Sequence, residues 1–411
     1  RYVSGLTVPH ILHDHHLLSE FPELRDRHPG ARQIFDELFP THNGTTYNSY
    51  VVRGQEKTAR IDTVKAPFTE EFLEKIDAAI GLDQIDLVVV SHTEPDHSGA
   101  LGRLLEIRPE LPVYCSRPSQ NFLSQLLNVP FNAHVVSDGE ELDLGGLTLR
   151  FILAPYLHWP DTIFTYLVEE AILFPCDAFG AHYCARKLFD DEIPDFSKDF
   201  YFYFDCIMRP FKDKVRDAVA KVDKLELKMI CPSHGPIRRA DPKAVVGAYR
   251  RLSAVPPEQP NPRALLLTLS SHGNTHIMAS TIREELEAKG FNVVIMRMCE
   301  MRDGDLRDEL ELADLVLVGS STINRDAPPQ AWHALSLFSL VTPKAKIAGV
   351  FGSFGWSGEA VKLIEERLKG LRFKLPVPGL TLRFSPTEEN LEECREFARQ
   401  FAVQVVGPEA A

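Results

Sequence analysis

The stretch Ser253-Ala-Val-Pro-Pro-Glu-Gln-Pro-Asn-Pro262 cannot sit inside a helix or a central strand. It carries four prolines, each with a fixed φ and no backbone N–H to donate. It reads as an extended linker, so the chain must fold in at least two pieces. The expected division is a first domain over 1–255, a linker over 256–263 and a second domain over 264–411. The chain has 411 residues, and at roughly 100–200 residues per domain each piece is large enough for its own core.

The two pieces carry different patterns. In the first, Tyr47–Val52 and Ala59–Val64 read as paired strands. The apolar run Ile85–Val90 reads as a strand ending at Ser91-His92, and a helix is expected over 98–107. Further strands are expected at Leu147–Leu153, Thr162–Val168 and Ala171–Phe174, and long helices at Phe211–Lys224 and Pro242–Leu252. This mixture suits a layered α/β domain. The second piece is more regular. Buried strands Ala264–Leu269, Val293–Met296, Leu315–Val318 and Ile347–Phe351 alternate with polar loops and helices, the first over Thr275–Lys289. That alternation implies a doubly wound parallel sheet.

The cluster His92-Thr-Glu-Pro-Asp-His97 follows an apolar strand and precedes a helix. Four potential ligands, His92, Glu94, Asp96 and His97, fall within six residues. His158, Asp177 and His234 also follow apolar runs and sit close to Pro or Gly. Loops at strand C-termini of an α/β sheet converge, so all seven are expected to meet. The groups are imidazoles and carboxylates without a thiolate, which disfavours a structural zinc site. They suit two metals that share a carboxylate, with iron, manganese or zinc all chemically acceptable. The bland alternative is a solvated, capped helix start, with Asp96 as the cap. Ordinary hydrogen-bonded roles are expected for His10, His13, His15, His16, His42, His134, His182 and His333. Of these, His42 and His182 are candidates to support the ligands from behind.

Other function classes are less compatible. The net charge of -13 argues against binding a phosphate backbone, which needs a basic face. No run of about 18 apolar residues is present, so no membrane span is expected. The seven cysteines include no Cys-x-x-Cys pair. Reduced thiols and a cytoplasmic location are therefore expected rather than a disulfide framework. The opening residues from Arg1 show no apolar leader, and Tyr2–Leu24, with His10, His13, His15 and His16, matches no pattern.

The arrangement His-x-[His/Glu]-x-Asp-His, followed by a distant His, Asp and His, resembles the metallo-β-lactamase superfamily. Zinc hydrolases of that superfamily carry His at the third position, where this chain has Glu94. That replacement resembles the flavodiiron proteins, or A-type flavoproteins, in which such a domain precedes a flavodoxin-like one. The resemblance covers nearly the whole chain and includes Phe35–Phe39 and Gly44–Asn48. It implies an αββα sandwich followed by a flavodoxin-like sheet. It also implies that His92, Glu94, His158 and a bridging Asp177 hold one iron, and that Asp96, His97, Asp177 and His234 hold the other. No ligand position is substituted. Glu94, Asp177 and His158 are the residues expected to serve catalysis.

Three loops in the second piece extend the resemblance. Ser270, Ser271, His272, Gly273, Asn274 and Thr275 lie between a strand and a helix, where hydroxyls and N–H groups can surround a phosphate. Ser320, Ser321, Thr322, Ile323 and Asn324 follow the next strand. Ser353, Phe354, Gly355, Trp356, Ser357 and Gly358 follow the one after. Together they resemble the FMN loops of the family, with Phe354 and Trp356 placed to flank the isoalloxazine ring. No Gly-x-Gly-x-x-Gly is present, so NAD is not expected on this chain.

The resemblance implies a reductase. Electrons from an external donor, such as rubredoxin or a flavin reductase, pass through FMN to the diiron site, where O2 is reduced to water or NO to N2O. It also implies a head-to-tail homodimer or a dimer of dimers, because flavin and metals of one chain lie far apart in such proteins. A dinuclear zinc hydrolase with an accessory flavodoxin domain is the alternative, and an electron carrier with a non-catalytic metal domain is a third. The residues do not choose between O2 and NO.

Overall fold

The computed structural model describes residues 11–17, 34–35, 39–257, 259–341 and 346–407, with side chains from residue 41 onward. The chain divides into two compact units, Arg1–Ala254 and Val255–Ala411.

The first unit contributes β1 (Ile11–Leu17), β2 (Ile34–Phe35), β3 (Phe39–Pro40), β4 (Thr46–Arg53), β5 (Thr58–Ile61), β6 (Leu87–Val89), β7 (Pro112–Cys115), β8 (Asn132–Val135), β9 (Glu141–Asp143), β10 (Thr148–Leu153), β11 (Ile163–Leu167), β12 (Ile172–Phe174) and β13 (Met229–Ile230). One sheet runs β1-β4-β5-β6-β7-β8 and a second runs β13-β12-β11-β10-β9, while β2 and β3 pair separately. The segment left unplaced by its sequence is thus partly a strand: β1 pairs antiparallel with β4. His10 and the side chains of His13, His15 and His16 lie outside the described residues. So do residues 36–38, the middle of the Phe35–Phe39 stretch.

Side-chain alternation explains why these strands read as continuous apolar runs. Leu87 and Val89 of β6 join a core shared with Leu149, Phe151, Ile163, Leu167, Ile172 and Phe174 of the second sheet. Val88 and Val90 point the other way, towards Phe72, Leu101, Leu104 and Leu123 of the covering helices. On the far side, Ile152, Phe164, Tyr166 and Leu173 pack against Phe200, Val215, Val219 and Tyr249. The central strands β6, β11 and β12 are buried on both faces, so period-two patterning is hidden there. The result is an αββα sandwich.

The expected helix over 98–107 is broken. Helices Pro95–Ser98 and Leu101–Ile107 flank Gly99 and Ala100. A Cβ on Gly99 would collide with Pro95 O and Ala66 N, and Ala100 N donates to Val64 O at 3.0 Å. The loop after β5 therefore presses on the backbone there and interrupts the ladder.

The second unit contains β14 (Arg263–Thr268), β15 (Asn292–Arg297), β16 (Leu315–Gly319), β17 (Ile347–Phe354) and β18 (Leu380–Arg383), in the order β15-β14-β16-β17-β18. All pairs are parallel, which is the flavodoxin-like order. Leu265, Leu267, Val316 and Val318 face one helical layer; Leu266, Leu315, Leu317 and Phe351 face the other. β17 runs on to Phe354, beyond the expected Phe351, because Ser353 and Phe354 pair with Leu382 and Arg383 of β18. Two residues assigned to a loop are therefore strand.

Gly349 in β17 has no room for a side chain, since an added Cβ would overlap the fully buried ring of Phe401. Gly349→Ala is expected to destabilise the second unit by about 1–3 kcal/mol, the usual cost of overpacking. Denaturant unfolding reads this directly, and an unchanged midpoint would refute the packing described.

Candidate metal centre and flavin loops

Four strand ends of the first unit deliver the seven candidate ligands. β6 leads to His92 through His97. β10, β12 and β13 run parallel to one another, through the antiparallel partner β11, and lead to His158, Asp177 and His234. Asp96 is not a cap. It lies inside the helix Pro95–Ser98, buried, while Glu94 occupies the cap position without a capping bond. The strand β12 ends sharply because Cys176 takes φ 53, a left-handed conformation uncommon outside glycine. Ser233 N donates to Cys176 O at 2.8 Å and ties the Asp177 and His234 loops together.

Asp177 lies at the centre. Its Oδ2 is 3.0 Å from His92 Nε2 and 3.2 Å from His158 Nε2. Its Oδ1 is 3.0 Å from His97 Nε2 and 3.3 Å from His234 Nε2. Glu94 Oε2 is 2.9 Å from His158 Nε2 and 3.5 Å from His92 Nε2. Asp96 Oδ2 is 3.1 Å from His234 Nε2 and 3.3 Å from His97 Nε2. The seven therefore form two groups that share one carboxylate: His92, Glu94 and His158 on one oxygen, and Asp96, His97 and His234 on the other.

The electrostatics follow from this packing. Burial would raise the Asp177 carboxyl, but His92 and His97 outweigh it and hold Asp177 well below the usual carboxylate range. Burial opposes a charged His158, yet Asp177 and Glu94 lift its imidazole to about 9. His234 is lifted to about 10 by Asp177 and Asp96, again against burial. His182 shows the opposite case: burial, and then His234, push it down to about 3, so it is a neutral ring.

The donor set fits a pair of metal ions. His92 Nε2 and Asp96 Oδ1 are buried without a hydrogen-bond partner, although carboxylates and imidazoles crowd around them. Backing contacts orient the rings, as metal-ligating histidines require. His234 Nδ1 is 2.7 Å from Thr46 O, and His92 Nδ1 is 3.2 Å from Cys176 Sγ.

The sequence reading missed Cys176. Its only local signal is adjacency to Asp177, whereas its partner His92 is distant in the chain. Burial pushes the thiol far above the usual range. His182 does lie behind the ligands, buried, with Nδ1 3.1 Å from Thr45 Oγ1 and its ring edge-on to Tyr203 at 4.8 Å. His42 is exposed. His134 pairs with Glu140 at 2.6 Å and His333 with Asp303 at 2.9 Å.

In the second unit, the three loops follow β14, β16 and β17 and interlock through hydroxyls. Ser271 N donates to Ser321 Oγ at 3.1 Å. Thr275 Oγ1 and Ser353 Oγ are 3.4 Å apart, and Ala360 N donates to Thr322 Oγ1 at 3.3 Å. Gly273 caps the helix Asn274–Ala288 at φ 86, with open space where a Cβ would stand. A close approach of a phosphate to that backbone is what such a cradle permits. Ser320, Ser321 and Ser353 are buried, while Trp356 is exposed.

Comparison with known proteins follows this division. Residues 45–235 match the family described as ODP family beta lactamase, and residues 266–397 match the flavodoxin family. A type A flavoprotein of Rhodobacter capsulatus is 40% identical over 388 residues, covering 92% of this chain and 88% of that protein. A nitric oxide reductase of Moorella thermoacetica is 36% identical over 380 residues, covering 91% and 94%. The solved rubredoxin oxygen:oxidoreductase of Desulfovibrio gigas superposes with a TM-score of 0.67 at 30% identity, covering 93% of this chain and 96% of that one.

Because Asp177 serves both groups, Asp177→Asn is expected to weaken both metals at once. The loss should exceed the ~10–100-fold typical of altering a residue behind a ligand. Metal analysis after dialysis measures it, and full retention of both metals would rule out a shared role.

Proposed function

Because the chain belongs to the type A flavoprotein, or flavodiiron, family, we propose that its seven converging imidazoles and carboxylates hold the iron pair of an O2 and/or NO reductase. When bound, FMN and the two irons supply the redox chemistry, carrying electrons from an external donor to O2, reduced to water, or to NO, reduced to N2O. The family and its function favour this over dinuclear zinc hydrolysis.

The observation that carries the residue assignment is the position of Asp177, with one oxygen turned to each group. His92, Glu94 and His158 with Asp177 would hold one iron, and Asp96, His97 and His234 with Asp177 the other. Five of the side chains are at most 3% exposed, but Glu94 and His158 are 23% and 20% exposed. Substrate therefore approaches from the side of Glu94 and His158. The buried carboxylates of Asp96 and Asp177 would offset metal charge, and the buried thiol and carbonyl behind His92 and His234 hold those rings in place. In the second unit, Ser270–Thr275 would receive the FMN phosphate, while Ser320–Asn324 and Ser353–Gly358 would line the flavin, with Phe354 and Trp356 at its ring.

Among the described residues, no helix is long and apolar enough to cross a membrane. We infer a cytoplasmic location, supported by the free cysteines, and a head-to-tail homodimer or dimer of dimers, supported by the family resemblance. A fully active monomer in solution would contradict that assembly. Rubredoxin or a flavin reductase is the proposed type of donor.

The test of the activity is anaerobic reduction of the flavin in the iron-loaded protein, followed by separate O2 and NO challenges. Rapid flavin reoxidation by at least one gas is expected. Glu94→Ala should still accept electrons into flavin but lose the rapid reoxidation. Equal reoxidation in the variant, or hydrolase activity with zinc and none with iron, would overturn the reading.

A further inference from the structure

The two candidate ligands that packing covers least are Glu94 and His158, the partly exposed pair. They come from separate strands, β6 and β10, and something must fix one loop against the other. Asp161 lies three residues after His158 and is only 1% exposed. Its Oδ2 accepts hydrogen bonds from Thr93 N at 2.9 Å, Thr93 Oγ1 at 2.8 Å and Ser119 Oγ at 2.9 Å. Its main-chain oxygen accepts from Ser116 Oγ at 2.8 Å. Ser116 is the N-cap of the helix Arg117–Leu127, so the carboxylate is anchored at the end of a helix whose partial positive charge favours an anion.

Thr93 stands between His92 and Glu94 and is held at every polar atom. Besides its two bonds to Asp161, its carbonyl accepts from Ser98 Oγ at 2.8 Å. A carboxylate taken out of water is costly unless it is hydrogen-bonded, and here Oδ2 takes all three side-chain bonds while Oδ1 is buried without a partner. One buried carboxylate thus binds the Glu94 loop, the His158 loop and the helix together, alongside the backbone bond from Ile163 N to Ser91 O at 2.8 Å.

We propose that Asp161 is the positioning residue that holds Glu94 and His158 to a common metal. This rests on the ligand assignment given above. Asp161 touches neither metal nor substrate; it acts through Thr93 on one side and through its own loop on the other. Losing it should loosen the iron of the Glu94 and His158 group, while Asp96, His97 and His234, held in the buried half, keep theirs.

The experiment compares wild type, Asp161→Ala, Thr93→Val and Thr93→Ser as full chains loaded with iron-57. Iron loss to a chelator is followed alongside the Mössbauer spectrum and thermal unfolding. Asp161→Ala is expected to release one iron about 10–100-fold faster, in line with residues behind a ligand, and to lose one of two iron signals with the fold intact. Thr93→Val removes the hydroxyl bond and should show a smaller loss of the same iron, whereas Thr93→Ser keeps that bond and both irons. Wild-type release in both Asp161→Ala and Thr93→Val would overturn the proposal. So would equal loss of both irons together with the fold, which would make Asp161 a folding residue. A wild-type protein that never takes up two irons would instead overturn the ligand assignment itself.

Discussion

The shared carboxylate of Asp177 is the constraint on which the rest of the first unit depends. Four imidazole nitrogens lie within 3.3 Å of its two oxygens. A buried carboxylate is tolerated only when it is paired and bonded on all sides, so the four histidines must arrive together. They come from ends of two sheets. That requires the sheets to pack face to face, and the packing in turn requires apolar residues on both faces of β6, β10, β11 and β12.

The second unit solves a different problem with the same device of loops at strand ends. Its strands are all parallel, but the order in which they are added reverses between β14 and β16, where a doubly wound fold opens a crevice. Serine and threonine hydroxyls link the loops there, and Arg383 donates to Gly355 O at 3.0 Å. Backbone N–H groups and a helix N-terminus are left to receive an anionic ligand. The metal site therefore depends on charge pairing in a buried cluster, and the flavin loops on hydrogen bonds at an accessible edge.

Much of this was legible in the sequence because the signals are local. The linker prolines, the apolar run before His92 and the strand–loop–helix rhythm after Arg263 all lie within short windows. The seven candidate ligands share one local mark, a position in a loop that follows a strand, where side chains converge. What stayed hidden depends on distant partners. Cys176 reaches His92 across the fold, and Asp161 reaches Thr93 and Ser119 with no local pattern to mark it. The break at Gly99 comes from a loop that presses on it from outside the helix. The extension of β17 to Phe354 comes from β18, and the strand at Ile11–Leu17 forms through pairing with β4 rather than through its own composition.

The central claim is that two irons flank Asp177. Anomalous diffraction at the iron edge, from crystals of iron-loaded protein, tests it most directly. Two peaks are expected, roughly 3.5–4 Å apart as in other shared-carboxylate pairs, one among His92, Glu94 and His158 and one among Asp96, His97 and His234. A single peak, or peaks that appear only at the zinc edge, would contradict it.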